Sequence, residues 1–249
     1  MKNPFGSFCD GLFLDMCVTT QMKLPRQRET VLAFFERIQK RFPTLHQFSR
    51  REQGELILEE EIEGRRFRWV AMETQRLSAG CADPDDFEQA YELQREVIEI
   101  MPYMLGISPL DIESLDVTFT MDFDYQGNHD EVIAEALLGN SSLSSFFEIP
   151  GAKVVSCCPN LIAALTPDGS LQARIAMESR SGLFERNDKG KLEEPISLYF
   201  TVRRYPSGQA EWTTAEAFTQ QCRIAEHLMF ERIIPHFARP LSNAISQRR

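Results

Sequence analysis

The stretch Leu115-Asp116-Val117-Thr118-Phe119-Thr120-Met121-Asp122-Phe123-Asp124 alternates apolar and polar side chains without a break. A period of two is the mark of a β-strand with one buried and one solvated face. Antiparallel sheets accept that arrangement, because only one of their faces has to pack on a core. The stretch therefore predicts an antiparallel sheet backed by helices on its apolar side.

Working outward, the same alternation recurs near the start of the chain. Leu12, Leu14, Met16 and Val18 interleave with Phe13, Asp15, Cys17 and Thr19, and Pro25 closes a strand predicted over 12–23. The period then changes. Val31, Phe34, Phe35, Ile38 and Phe42 fall at helical spacing, which predicts a helix over 26–42. Strands are predicted over 45–50, 55–63 and 65–75, with Gly64 turning the second into the third. Asp83-Pro84-Asp85-Asp86 opens a helix that runs to about Leu105, where Gly106 stops it. Its apolar stripe is Phe87, Ala90, Leu93, Val97, Ile100, Met101 and Met104.

The order then repeats. After the strand at 115–124 come a short helix over 130–138 and strands over 152–165, 170–181 and 196–205. Pro167-Asp168-Gly169 turns the first pair, and a polar loop over 187–194 separates the second. A last helix is predicted from Thr213 to about Ala238, with Phe218, Cys222, Ala225, Met229 and Ile233 on its buried face. The reading is an α+β protein of two β-α-β-β-β-α repeats, residues 1–107 and 108–249, folding as one unit. Together they form a continuous curved, mainly antiparallel sheet with helices packed on one face. Residues 67–103 compare best with 196–235, Phe87 matching Phe218.

This doubled order, over residues 12–238, resembles the TATA-binding-protein topology. The resemblance implies a continuous curved sheet with helices on its convex side. It implies no function, since one fold hosts many. A helix-grip fold, with a sheet wrapped around one long C-terminal helix, is the alternative architecture, and it holds an apolar ligand between sheet and helix.

Composition narrows the function classes. Of 249 residues 43% are hydrophobic and 26% charged, enough apolar material for a core and too much for a disordered chain. The net charge of −10 argues against nucleic acid and anionic membranes, both of which attract clustered Lys and Arg. No run approaches the roughly 20 apolar residues that span a bilayer. The first 18 residues carry Asp10 and Asp15 and no basic stretch typical of a signal peptide, so a cytoplasmic protein is expected.

Catalytic signatures are missing. There is no Gly-x-Ser-x-Gly, no Gly-x-x-x-x-Gly-Lys-Ser/Thr and no Gly-x-Gly-x-x-Gly. Gly127-Asn128-His129-Asp130 resembles one block of the calcineurin-like metallophosphoesterases, but the Asp-x-His and Gly-Asp blocks that complete that dinuclear site are absent. The tetrapeptide reads as a turn capping the next helix. His227 and Glu231 share a helical face near His236, which reads as a solvated helix edge. Cys157-Cys158 reads as two reduced thiols on a buried strand, and Glu59-Glu60-Glu61 with Arg65-Arg66 as charge pairing across a hairpin. No catalytic residue, metal ligand or cofactor is assigned.

What remains is the polar sheet face. Alternation places Asp15, Arg66, Arg68, Asp116, Thr118, Thr120, Asp122, Arg174, Tyr199 and Arg203 there, with Cys17, Thr19, Gln172, Glu178 and Thr201 beside them. This Asp, Arg, Thr and Tyr content suits a protein partner or a small polar ligand. It does not suit DNA in the TATA-binding manner, which needs apolar wedges and unopposed Lys or Arg. The expected function is a recognition protein using this face, with a small-molecule binder or hydrolase built around a sheet–helix cavity as the alternative.

Overall fold

The computed structural model describes residues 8–52, 54–62, 64–179, 194–206 and 213–248. Its centre is a single nine-stranded antiparallel sheet. The strands are β1 (Gly11–Thr20), β2 (Gln47–Arg50), β3 (Leu56–Glu59), β4 (Phe67–Met72), β5 (Arg76–Ala82), β6 (Ile112–Phe123), β7 (Asn160–Ala164), β8 (Leu171–Glu178) and β9 (Ile196–Arg204). They lie in the order β2-β3-β4-β5-β1-β6-β9-β8-β7. The two strands with the cleanest alternation, β1 and β6, pair with each other in the middle, Met16 opposite Val117.

The helices are α1 (Arg28–Arg41), α2 (Phe87–Met104), α3 (His129–Leu138), α4 (Ser144–Phe147), α5 (Thr214–Leu228) and α6 (Arg239–Arg248). Leu12, Leu14, Met16 and Val18 of β1 and Val117, Phe119, Met121 and Phe123 of β6 are buried in one core with Phe34 and Ile38 of α1, Leu93 and Val97 of α2, and Phe218 and Ala225 of α5. Capping fixes the helix starts. Asp86 accepts the Gln89 amide at α2, Asn128 accepts the Glu131 amide at α3, and Thr213 and Glu216 form a reciprocal capping box at α5.

Two buried glutamines tie helices to sheet. Gln94 of α2 donates from Nε2 to the carbonyls of Leu14 (3.1 Å) and Ala79 (3.3 Å), on β1 and β5. Gln221 of α5 donates to Leu115 (2.8 Å) and Val202 (2.5 Å), on β6 and β9. The register is the same in both places. Ala79 faces Met16, two residues after Leu14, and Val202 faces Val117, two residues after Leu115.

Several expectations need correction. The region predicted as one strand over 65–75 ends at Met72, and a further strand, β5, follows at Arg76–Ala82. Four strands, not three, therefore separate α1 from α2. β5 escapes notice because its Ser78, Ala79, Gly80 and Ala82 are too small to show an apolar period. The strand predicted over 152–165 is regular only from Asn160. The last helix does not stop near Ala238. It passes through a π-helical stretch, Met229–Ala238, into α6. Pro235 has no N–H to donate, and the wider i→i+5 spacing, seen where Arg239 N–H reaches Ile234 O, lets the chain continue past it. Of the polar loop expected over 187–194, all but Glu194 lies outside the described residues.

Candidate functional site

The sheet face opposite α2 and α5 is defined by pairing register. One row crosses it from β4 to β7: Trp69, Gly80, Asp15, Thr118, Thr201, Arg174 and Ile162. On one side runs Phe67, Ala82, Phe13, Thr120, Tyr199 and Ala176. On the other runs Ala71, Ser78, Cys17, Asp116, Arg203 and Gln172. Eight of the ten expected face residues thus share this surface, Asp122 lying at its end opposite Ser197.

Arg66 and Arg68 do not. Arg68 sits in the row of Cys81 and Leu14, on the helix side. There its guanidinium lies 5.2 Å from the centre of the Phe42 ring and bonds Glu60 Oε1 at 2.6 Å. Burial works against charge on Glu60, but hydrogen bonds from Arg68 and Thr44 outweigh it and hold the carboxyl below its usual range. Arg66 pairs with Asp85 just ahead of α2 (2.6 Å). The parity was readable: Arg66 and Arg68 are in step with Val70 and Met72, which are core residues. Charge pairing at this hairpin is therefore real, but its arginine is Arg68, and Arg65 instead reaches Asp124 (3.3 Å).

Most charged groups on this face are hydrogen-bonded locally, one of them in an ion pair. Arg203 grips Asp116 with two bonds, Nε to Oδ1 at 2.8 Å and Nη2 to Oδ2 at 2.6 Å. The bond to Asp116 raises the Arg203 pKa above its ordinary value. Arg76 Nε reaches Cys17 Sγ at 3.4 Å, and burial pushes the Cys17 thiol up despite that arginine. Ser197 donates to Asp122 (2.6 Å), Thr118 and Thr201 share a bond of 2.9 Å, and Arg174 donates to Asn160 (3.0 Å).

Asp15 is the exception. No described residue hydrogen-bonds or ion-pairs with its carboxyl, and burial alone pushes its pKa up to about 7. Its neighbours explain the desolvation. Gly80 lies between Asp15 and Trp69, and a Cβ on residue 80 would collide with both the Trp69 ring and Asp15 Oδ1. The indole therefore lies over the glycine, against the carboxyl. Phe67 and Phe13 flank it, with ring centres 5.4 and 6.5 Å from that of Trp69. Asp15, Phe13, Phe67, Trp69 and Thr118 all stay partly open to solvent.

No spacing points to Gly80, and the signal for Trp69 and Phe13 is weak: their parity is legible, while their closeness to Asp15 depends on β5, a strand that alternation does not reveal.

The titration of Asp15 has a thermodynamic consequence. In the unfolded chain its proton leaves near pH 4, and in the folded chain near 7. Between these values the native state holds the extra proton, so stability falls as pH rises through the window and then levels off. Asp15→Asn cannot ionise. At pH 8 it should be more stable than the native protein by about 1–4 kcal/mol, and at pH 4 equal within about 0.5 kcal/mol. Urea melts at both pH values measure this. A destabilised Asp15→Asn at pH 8 would mean that the carboxylate is neutralised in the fold.

The other motifs are built into the scaffold. Asn128 caps α3 and donates to Val154 O (2.9 Å). His129 is fully buried with Nε2 2.9 Å from Tyr125 O. Asp130 Oδ1 accepts from Cys157 N–H (2.7 Å) and Ser179 Oγ (2.6 Å), which pins the irregular stretch before β7. Cys157 is buried and Cys158 exposed, both as free thiols and neither in a strand. His227, Glu231 and His236 are solvent-exposed. Among the described residues no group of three His, Cys, Asp or Glu is placed to hold a metal, and no helix is long and apolar enough to cross a membrane.

Fold and site define an α+β protein with a single antiparallel sheet, one face of which carries Asp, Arg, Thr and aromatic side chains that are part buried and part exposed. No family model matches the chain, and no curated protein matches it either.

Proposed function

We propose that the protein is a non-catalytic recognition protein, and that the open sheet face centred on Asp15, Thr118 and Thr201 is its binding surface. The observation that carries this reading is the desolvated carboxyl of Asp15, without a partner among the described residues, in the middle of a face where Asp116 and Arg203 are paired. A strongly perturbed titratable group in a partly open setting is a recurrent mark of a functional site. The rest of the face offers hydroxyls, a phenol, paired charges and half-buried aromatic rings, a mixture typical of protein interfaces. A partner protein is the expected ligand, and the cytoplasm the expected location.

The same reading takes the chain as a duplicated TATA-binding-protein-like architecture that folds as one unit. Support comes from the glutamine ties, which repeat the same register on β1–β5 and β6–β9. On that correspondence Gln94 matches Gln221 and Tyr91 matches Phe218, one turn away from the Phe87 match that the sequence suggests. β5 then answers to β9, and the Met16–Val117 pair lies on the approximate twofold between the halves.

Thr118→Arg, which places bulk and charge beside Asp15, tests the function. The tagged native protein and the variant would be used to capture cross-linked partners from the source cells. The expected result is a partner captured by the native chain and lost from the variant, with the melting temperature within a few degrees. Equal capture by both would remove the face from recognition. A second reading, a small-molecule site, is favoured by a groove of about 620 Å3 beside α1, with Val31, Phe48 and Leu56 along it and Arg26, Arg28 and Arg50 beside them. A partner insensitive to Thr118→Arg but lost with Arg50→Glu would move the site there.

A further inference from the structure

We propose that Asp15 and the Trp69 indole form a receptor for an organic cation, the ammonium or guanidinium of a basic side chain on the partner protein. The inference rests on the recognition reading of the open face and names the chemistry it would recognise.

The geometry supplies both halves of such a receptor. The carboxyl of Asp15 is an acceptor without a donor, since no described residue bonds to it. Of the cations on this face, Arg203 is held by Asp116, while Arg76 and Arg174 bond the neutral groups of Cys17 and Asn160 and none of them bonds Asp15. Beside the carboxyl stands an aromatic wall of Trp69, Phe67 and Phe13, each partly exposed. Cations are attracted to aromatic faces, to Trp most strongly, and more so where water is excluded. Gly80 is what brings the two groups together, because any side chain there would push the indole and the carboxyl apart.

A cation fits better than the alternatives. An anion would be repelled by the ionised Asp15 carboxyl, with which no described cation makes an ion pair. A neutral apolar group would bury the carboxyl further and favour its protonated form, leaving its oxygens unsatisfied. A guanidinium or ammonium satisfies them, and the net charge of −10 favours its approach.

The site is also pH-dependent, because only the ionised carboxyl attracts a cation. The other titratable and charged groups on this surface are Cys17 on β1, Arg76 on β5, Asp116 and Asp122 on β6, Arg174 and Glu178 on β8, and Tyr199 and Arg203 on β9. Cys17 keeps its proton through neutral pH, since burial raises its thiol. Asp116 is held by Arg203, and Asp122 accepts from Ser197. Asp15 is the group whose charge changes between pH 6 and 8.

The test uses the full chain and N-acetylarginine amide as probe, followed by the amide and indole N–H resonances of the 15N-labelled protein. N-acetylcitrulline amide, isosteric and uncharged, is the control. The expected result is saturable, millimolar binding that shifts the Trp69 indole, roughly tenfold weaker at pH 6 than at pH 8. Asp15→Asn should weaken it at least about tenfold while melting no lower than the native protein, and the citrulline amide should not bind. Equal binding by Asp15→Asn, equal binding of the citrulline amide, or no saturation by about 100 mM would each overturn the proposal. A basic peptide of the captured partner should compete with the probe if the cation comes from a protein. Saturable binding of the arginine amide that no such peptide competes away overturns the assignment to a partner's side chain. If the probe fails but Thr118→Arg still strips the partner, the cation proposal falls and the recognition reading stands. If the probe binds and Thr118→Arg keeps the partner, the recognition reading falls and, with it, the assignment of the cation to a partner.

Discussion

Met229→Asp unfolds the protein at 25 °C and neutral pH, whereas Arg174→Ala leaves its melting temperature unchanged. Met229 is fully buried where α5 passes into the π-helical stretch, in the core that also holds Phe218, Cys222 and Ala225. An aspartate there trades a thioether for a carboxylate with no described cation in that core. Burying such a group costs several kcal/mol, a large share of the roughly 5–15 kcal/mol that holds a typical domain together. Arg174 is exposed on β8 and bonds only Asn160 among the described residues, so its loss should cost no more than about 0.5 kcal/mol. Circular dichroism melts decide the matter. A cooperative, near-native melt for Met229→Asp would mean that the helix has been placed on the sheet with the wrong face inward.

The second large effect concerns the glutamine ties. Each amide nitrogen donates to two strand carbonyls, and each amide oxygen, Gln94 Oε1 and Gln221 Oε1, is buried with no described partner. Gln94→Glu and Gln221→Glu replace the donor by a second oxygen and bring negative charge against those carbonyls. Each should cost more than about 3 kcal/mol at pH 7, since a buried charge without a partner is among the most destabilising changes known. Methionine at either position keeps the volume and removes the orphan oxygen along with the bonds. It should cost less than about 1.5 kcal/mol. Urea melts of the four variants read this out. Similar losses for the two glutamates would match the repeated register, and native-like stability of either would contradict the hydrogen bonding described.

The sheet was legible where alternation is strong and both faces differ. β1, β6 and β9 carry large apolar side chains on one parity and Asp, Thr or Arg on the other, and their neighbours follow. β5 was not legible, because its Ser, Ala, Gly and Cys residues are too small to mark one face as apolar and the other as polar. That omission hid the one close approach that matters for the site, Trp69 over Gly80 against Asp15. Asp15 itself was among the expected residues, but its isolation from every described cation is a tertiary fact that no spacing reveals. Arg66 and Arg68 failed for the opposite reason. Their charge outweighed their parity in the reading, although long side chains at the end of a buried face can reach solvent or a partner such as Glu60 from there. Pro235 misled in a third way, as a helix stop that a widened helix absorbs.

The central claim is that this sheet face carries a desolvated carboxyl without a partner among the described residues, and that the proposed recognition is centred on it. The most direct measurement is the carboxyl 13C chemical shift of Asp15 followed from pH 3 to pH 9 in the full-length protein, with Asp15→Asn to assign the resonance. The account predicts a single titration with its midpoint at about 7, moving down toward the ordinary carboxylate range when a cationic ligand is bound. A midpoint near 4 in the free protein would contradict it, because the carboxyl would then already be solvated or paired within the fold.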